Sequence, residues 1–183
     1  VVQAEGKIVV AGTRLGALTL VRYLPVGTLD PAFGSDGVAA IQSPHFTQAF
    51  DLIVQSDGAL VAVGTAVISG SSSQLVVARL SPDGALDLGF GSTGVVRHPG
   101  AGAQSVDIDG SGRILVRTPT GEVVRFTATG ALDGTFGTAG VASTGGIGVG
   151  LVVDPDGSFV VDVTRNLLAG FDASGAPDPT FGN

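Results

Sequence analysis

Apolar residues come along this chain in short bursts rather than at helical spacing. Ile8-Val9-Val10, Leu60-Val61-Ala62-Val63, Leu75-Val76-Val77-Ala78 and Phe159-Val160-Val161 are separated by stretches rich in Gly and Asp. Continuous β-branched runs of that length predict strands buried on both faces. Stacked sheets therefore fit better than a sheet with one wet face. No apolar run reaches the ~18 residues that a membrane-spanning helix needs. No ten-residue stretch combines 3.6-residue apolar spacing with freedom from Gly and β-branched runs, so almost no helix is expected.

The bursts belong to a repeat. LDPAFGSDGV (Leu29 to Val38), LDLGFGSTGV (Leu86 to Val95), LDGTFGTAGV (Leu132 to Val141) and PDPTFGN (Pro177 to Asn183) are four copies of one phrase. Their phenylalanines, Phe33, Phe90, Phe136 and Phe181, lie 57, 46 and 45 residues apart. A recurrence in this range marks a repeat architecture. Each copy closes a unit with a fixed order of parts. A first strand ends in a turn: VVQAEGK at 1–7, LIVQSDGA at 52–59, VDIDGSGR at 106–113, LVVDPDGS at 151–158. Asp-Gly between apolar runs predicts a type I′ hairpin there. A second strand follows at Lys7 to Thr13, Ala59 to Ala66, Arg113 to Thr118 and Ser158 to Thr164. Variable loops come next: Thr13 to Leu18, Ala66 to Gln74, Thr118 to Glu122 and Thr164 to Leu168. A third strand contains LVRYL, VARLS, VRFTA or LAGFD. The phrase and a short fourth strand (Val38 to Gln42, Val95 to His98, Val141 to Ser143) complete the unit.

Three or four antiparallel strands per unit, repeated radially, describe an all-β fold, a β-propeller of about four blades. A single repeat domain over 1–183 is expected, with repeats near 1–42, 48–98, 103–143 and 147–183. It reads as a small closed ring or as part of a larger or oligomer-completed one. Arg22 precedes Asp30 by eight residues, as Arg79 precedes Asp87 and Arg125 precedes Asp133, while Gly170 stands ahead of Asp178. An Arg at a strand end and an Asp in a turn, at fixed spacing, predict a pair that holds the blade. The four Phe residues are read as plugs between blades.

The formal charge of −7 argues against nucleic acid, which needs a basic footprint, and against anionic lipid surfaces. With no cysteine, the chain has no disulfide, redox pair or thiolate zinc site. It shows no signal peptide and no initiator Met, and it opens mid-pattern at Val1. It therefore reads as a mature fragment or a cut from something longer.

Candidates for chemistry are few. His45 and His98 lack a nucleophile elbow, so no catalytic residue is assigned. Asp107 and Asp109, in DIDGSG, have the look of a calcium-loop start, but Arg113 and Arg117 stand where a closing acid should follow. The hairpin-turn reading is preferred, and calcium is the one cofactor considered. Thr144-Gly145-Gly146-Ile147-Gly148 lacks the GK[ST] ending of a phosphate cradle. With no Trp and one Tyr, Tyr23, aromatic sugar platforms are disfavoured. The serine-rich stretch with Ser69, Ser71, Ser72, Ser73 and Gln74 is the candidate interaction loop.

The pattern VQxDGKIVVAG … VARLxxDGxLDxxFGxxG resembles the bacterial delta-60 repeat. The best matches are VVQAEGKIVVAG at 1–12, VQSDGALVAVG at 54–64 and VARLSPDGALDLGFGSTGV at 77–95. The third and fourth copies depart from it: Arg117 and Asp162 interrupt the second strand, and Pro177 replaces the Leu of LD. The resemblance implies a propeller and an extracellular, cell-surface or periplasmic bacterial setting, and it carries no catalytic residue over. The expected function is a non-catalytic scaffold or interaction module with a protein partner or self-assembly, without nucleic acid or membrane insertion. One alternative is a propeller hydrolase or lyase with a polar or metal-bearing channel, drawing on Asp51, Asp107 and His98. Another is a structural subunit of a surface layer or filament.

Overall fold

The computed structural model describes residues 1–41, 46–68, 72–164 and 166–182, with backbone alone at 46, 47, 68 and 72. Four antiparallel sheets hold nearly all of its regular structure. The first joins β1 (Ile8–Arg14), β2 (Ala17–Tyr23) and β3 (Val38–Ile41) in that order. The second runs β4 (Phe46–Val54), β5 (Leu60–Ile68), β6 (Ser72–Leu80), β7 (Val95–Pro99). The third takes β8 (Ser105–Ile108), β9 (Ile114–Arg117), β10 (Glu122–Phe126) and β11 (Val141–Ser143) in chain order. The fourth is β12 (Leu151–Val153), β13 (Phe159–Thr164) and β14 (Leu167–Phe171). These are the blades of a β-propeller. Within the repeat domain expected over 1–183, the chain clusters into two compact units, Val1–Gly102 and Ala103–Asn183, each holding two blades.

In the first unit, Val9, Leu18, Leu20, Phe33, Ala39 and Ile41 of blade 1 share one core with Leu52, Leu60, Ala62, Val76, Ala78 and Leu80 of blade 2. In the second unit, Leu115, Val123, Phe136 and Ala142 of blade 3 meet Leu151, Phe159, Val161 and Phe171 of blade 4. The inner blade faces are apolar because strand residues alternate sides, and each face must meet another sheet to leave water.

Two local expectations need correction. The Asp-Gly turns are not type I′. Gly58 N–H donates to Gln55 O at 2.9 Å and Gln55 N–H to Ala59 O at 2.8 Å, and only Gly58 is left-handed, at φ 83°. This is a turn closed by one left-handed residue, the common form of the longer hairpin loops. Asp57 Oδ1 accepts the Ala59 N–H at 2.9 Å, and the glycine alone supplies the left-handed bend. The same pattern recurs at Gly6, Gly27, Gly84, Gly112, Gly130, Gly157 and Gly175.

The variable loops are also shorter than expected. Arg14 pairs Ala17, so only Leu15 and Gly16 turn, at φ 51° and 73°, and the type I′ signature sits there instead. Ala66 pairs Gln74, and Val67 pairs Ser73. Ladder hydrogen bonding carries the strands through these Thr, Ser and Ala positions despite modest β-propensity, because pairing and burial outweigh it.

Candidate functional site

The phrase that closes each repeat folds into a clasp. Asp30 N–H donates to Arg22 O, Phe33 N–H to Asp30 O, Gly37 N–H to Phe33 O, and Arg22 N–H to Gly37 O, so the loop is tied back onto β2. Arg22 Nε donates to Asp30 Oδ2 at 2.9 Å, and its guanidinium lies 4.7 Å from the Phe33 ring centre. From there Arg22 Nη1 reaches blade 2 and donates to Pro82 O at 2.7 Å, while Gly34 N–H donates to Asp83 O at 2.8 Å. The Phe33 edge presses against Gly84, where a Cβ would lie 2.9 Å from the ring.

Blade 3 repeats this on blade 4. Arg125 Nε donates to Asp133 Oδ2 at 2.9 Å, and Arg125 Nη1 to Ala173 O at 2.6 Å. Its guanidinium lies 4.3 Å from the Phe136 ring centre, and Gly137 N–H donates to Ser174 O. In blade 2, Arg79 pairs with Asp57 at 2.8 Å and with Asp87 at 3.3 Å, and Phe90 is fully buried. In blade 4 the loop hydrogen bonds persist, Asp178 N–H to Gly170 O and Phe181 N–H to Asp178 O. With Gly170 in the arginine's place, Phe181 leans onto the bare backbone: a Cβ on Gly170 would meet the ring's Cγ at 2.5 Å.

Asp30, Asp133, Asp156, Asp172 and Asp178 titrate low. Burial pushes the Asp30 carboxyl up, but the Ala32 N–H and the Arg22 and Lys7 charges outweigh it and hold it below its usual value. The Thr135 hydroxyl, more than any other group, holds Asp133 low, with its N–H and Arg125 adding to it against burial. Asp156, Asp172 and Asp178 are lowered first by the Ser158, Ser174 and Thr180 hydroxyls. A carboxyl depressed in the folded state stabilises above its unfolded value, about 3.9, and that contribution is lost as pH falls through the folded value. The melting temperature should therefore be flat above roughly pH 5 and fall steadily below about 4. A melting temperature unchanged down to about pH 2 in a circular-dichroism titration would contradict the clasp as described.

A second polar lock has no counterpart in the phrase. Arg117, fully buried on β9, donates through Nε to Gly148 O at 2.7 Å and through Nη1 to Thr144 Oγ1 at 3.0 Å. Its Nη2 donates to Gly146 O at 3.1 Å and to Asp162 O at 2.8 Å. Burial lowers the guanidinium's pKa, and the Asp162 charge pulls it back up. The glycine-rich segment before blade 4 is thus a linker clamped to β13. A Cβ on Gly146 would lie 2.4 Å from Val163 Cα, and one on Gly148 2.2 Å from Asp162 O. In the apolar pattern of their strands Arg117 and Asp162 read as interruptions. They occupy the same register in successive blades, which was the available signal that they meet.

The calcium candidates are engaged otherwise. Asp107 Oδ1 accepts the Ile108 N–H, and its Oδ2 accepts the Val153 N–H at 2.8 Å, pinning β8 to β12. Asp109 Oδ1 accepts the Ser111 and Arg113 N–H groups, and its Oδ2 takes Arg113 Nε. Among the described residues no three His, Asp or Glu side chains gather as a metal site. Asp51 on β4 and His98 on β7 stand on opposite edges of one four-stranded sheet. Three strand spacings of ~4.8 Å separate them, so they do not converge. His45, Ser69 and Ser71 lie outside the described residues, while Ser72, Ser73 and Gln74 belong to β6 rather than to a loop. In the first unit a cleft of about 270 Å³ opens beside the clasp, lined by Gln3, Glu5, Lys7, Arg22, Asp57 and Asp83 among others.

Comparison with known proteins agrees with this architecture. Residues 3–33 and 55–90 match a β-propeller domain of unknown function, DUF5122. No curated protein matches the sequence. A solved structure of a streptogramin B lyase is 12% identical, with a TM-score of 0.59 over 97% of this chain and 52% of its own. A gluconolactonase from Xanthomonas campestris is 18% identical, with a TM-score of 0.55 over 96% of this chain and 58% of its own. The chain thus spans somewhat more than half the length of either. At such identities the likeness is one of fold: an all-β chain of propeller blades, similar to DUF5122 over parts of its first two repeats.

Proposed function

We propose that the chain is a non-catalytic scaffold or interaction module of an exported or surface-associated bacterial protein. The observation that carries this is an exposed apolar sheet face. Ile8 and Val10 of β1, 39% and 52% exposed, share a face with the half-buried Val21 and Tyr23 of β2, their register neighbours. A contiguous apolar patch of this kind is the usual mark of a protein contact. The polar side chains described above are by contrast bound up in turns, clasps and the Arg117 lock. The resemblance to the delta-60 repeat supports the extracellular setting and a family of modules without catalysis.

The two similar structures are named for enzymes, which makes a propeller hydrolase or lyase the competing reading. A photo-crosslinking residue in place of Val10, expressed in the source cells, should give a covalent protein adduct. The same residue at the exposed Ser56 should give none. Equal adducts at both positions, or turnover of gluconolactone or streptogramin B by the purified chain, would overturn the module reading.

A further inference from the structure

Each unit shows one blade face seated on the next, and the register of the repeats identifies which faces give and which receive. In the first unit the giving face presents Val9, Leu20 and Phe33, all fully buried, and the receiving face presents Leu60, Ala62, Ala78 and Leu80, also fully buried. In the second unit the receiving residues at the same positions are Phe159, Val161, Ala169 and Phe171. Blade 1 carries the receiving set as Ile8, Val10, Val21 and Tyr23, and these remain partly or largely exposed. Its turn Leu24-Pro25-Val26-Gly27 matches the turn Ser81-Pro82-Asp83-Gly84 that accepts Arg22 and Gly34, with the same closing hydrogen bond and left-handed glycine. Nothing lies within 4 Å of a Cβ placed on Gly27, where Gly84 has Phe33 at 2.9 Å.

Blade 4 carries the giving set. Val160, Leu168 and Phe181 stand where Val9, Leu20 and Phe33 stand, and Leu168 and Phe181 are 57% and 40% exposed, beside Val152 at 64%. Val152 pairs Val160, Val160 pairs Gly170 and Asp162 pairs Leu168, so these residues share one side of the sheet.

Resting on the module reading, we propose that its partner is a second copy of this chain, joined head-to-tail, with blade 4 of one copy seated on blade 1 of the next. Charge fits the same placement. Asp162 stands in the register of Arg117, whose side chain reaches the position equivalent to Ala11 one blade on. Arg14 follows three residues on along β1, on the side that Val10 and Gly12 share. Because giving and receiving faces differ, the contact is heterologous and builds closed rings, a two-copy ring with two such contacts included, or open filaments.

Val10→Glu and Leu168→Glu, both at exposed positions, test this by sedimentation over a wide concentration range, with circular dichroism to verify folding. The wild type should self-associate, and each variant alone should stay monomeric. An equimolar mixture of the two should form a one-to-one dimer and nothing larger, because each lesion spares one end. A monomeric wild type, a Leu168→Glu variant that still self-associates, or a mixture that stays monomeric would overturn the proposal. Should the position-10 crosslinker capture a different protein while the wild type is monomeric, the head-to-tail contact fails and the module reading stands.

Discussion

Phe136→Ala should lower the unfolding free energy by about 3–5 kcal/mol, the usual cost of emptying a buried phenylalanine site. The ring is fully buried, 5.8 Å centre to centre from Phe159, which in turn stacks on Phe171 at 4.9 Å. Gly175 is close enough that a Cβ there would lie 2.9 Å from the ring, and Arg125 covers its face at 4.3 Å. Alanine leaves a cavity that these neighbours cannot close, since Arg125 is tied to Asp133 and Ala173. Phe181→Ala removes the same letter of the same phrase but from a position 40% exposed. It should cost about 1 kcal/mol or less. Urea unfolding of both variants decides the matter, and equal losses would mean that the phrase works through something other than its buried ring.

Arg117→Met should cost about 3 kcal/mol or more, although methionine fits a buried strand by size and polarity. Its guanidinium is the shared donor for the half-buried Gly146 O, Gly148 O and Asp162 O, and losing a hydrogen bond to a charged donor costs roughly 1.5–3 kcal/mol. Arg117→Lys should recover only part of the loss, because one ammonium cannot match a planar fork aimed at four acceptors. Hydrogen exchange supplies a local reading. The amides of Thr144 and Gly150, bonded to Gly121 O and Asp162 Oδ1, should lose protection in Arg117→Met before the strands do. A loss below about 1 kcal/mol with those amides unchanged would rule out the clamp.

Much of the fold is legible in particular residues. The runs at Leu60-Val61-Ala62-Val63 and Leu75-Val76-Val77-Ala78 form the fully buried stretches of the central strands β5 and β6. Continuous apolarity means two covered faces, which only stacked blades provide. The eight-residue step from Arg22 to Asp30 and from Arg125 to Asp133 is local, spanning one turn, so a pattern in one repeat displays it. Turn type was less legible. Asp-Gly is compatible with two geometries, and strand pairing selects the loop closed by one left-handed glycine, which forms equally around Glu5-Gly6 and Val26-Gly27. Leu15 in a left-handed conformation was not legible at all, because strand pairing on both sides imposes it against the residue's own preference.

By itself the sequence determined the repeat, the strand order within each blade, the clasp residues and the acidic surface. Those follow from short-range periodicity and from chemistry between neighbours in the chain. Only the tertiary structure decided what the odd residues do. Arg117 reads as a flaw in a strand until Thr144, Gly146, Gly148 and Asp162, 27 to 45 residues away, bring four acceptors to it. Asp107 reads as part of a hairpin turn, and only the fold shows that its second oxygen accepts the Val153 N–H of the next blade. Burial decided the rest. Ile8 and Leu60 are the same letter of the repeat, one 39% exposed and the other fully buried, because a neighbouring blade covers only the second.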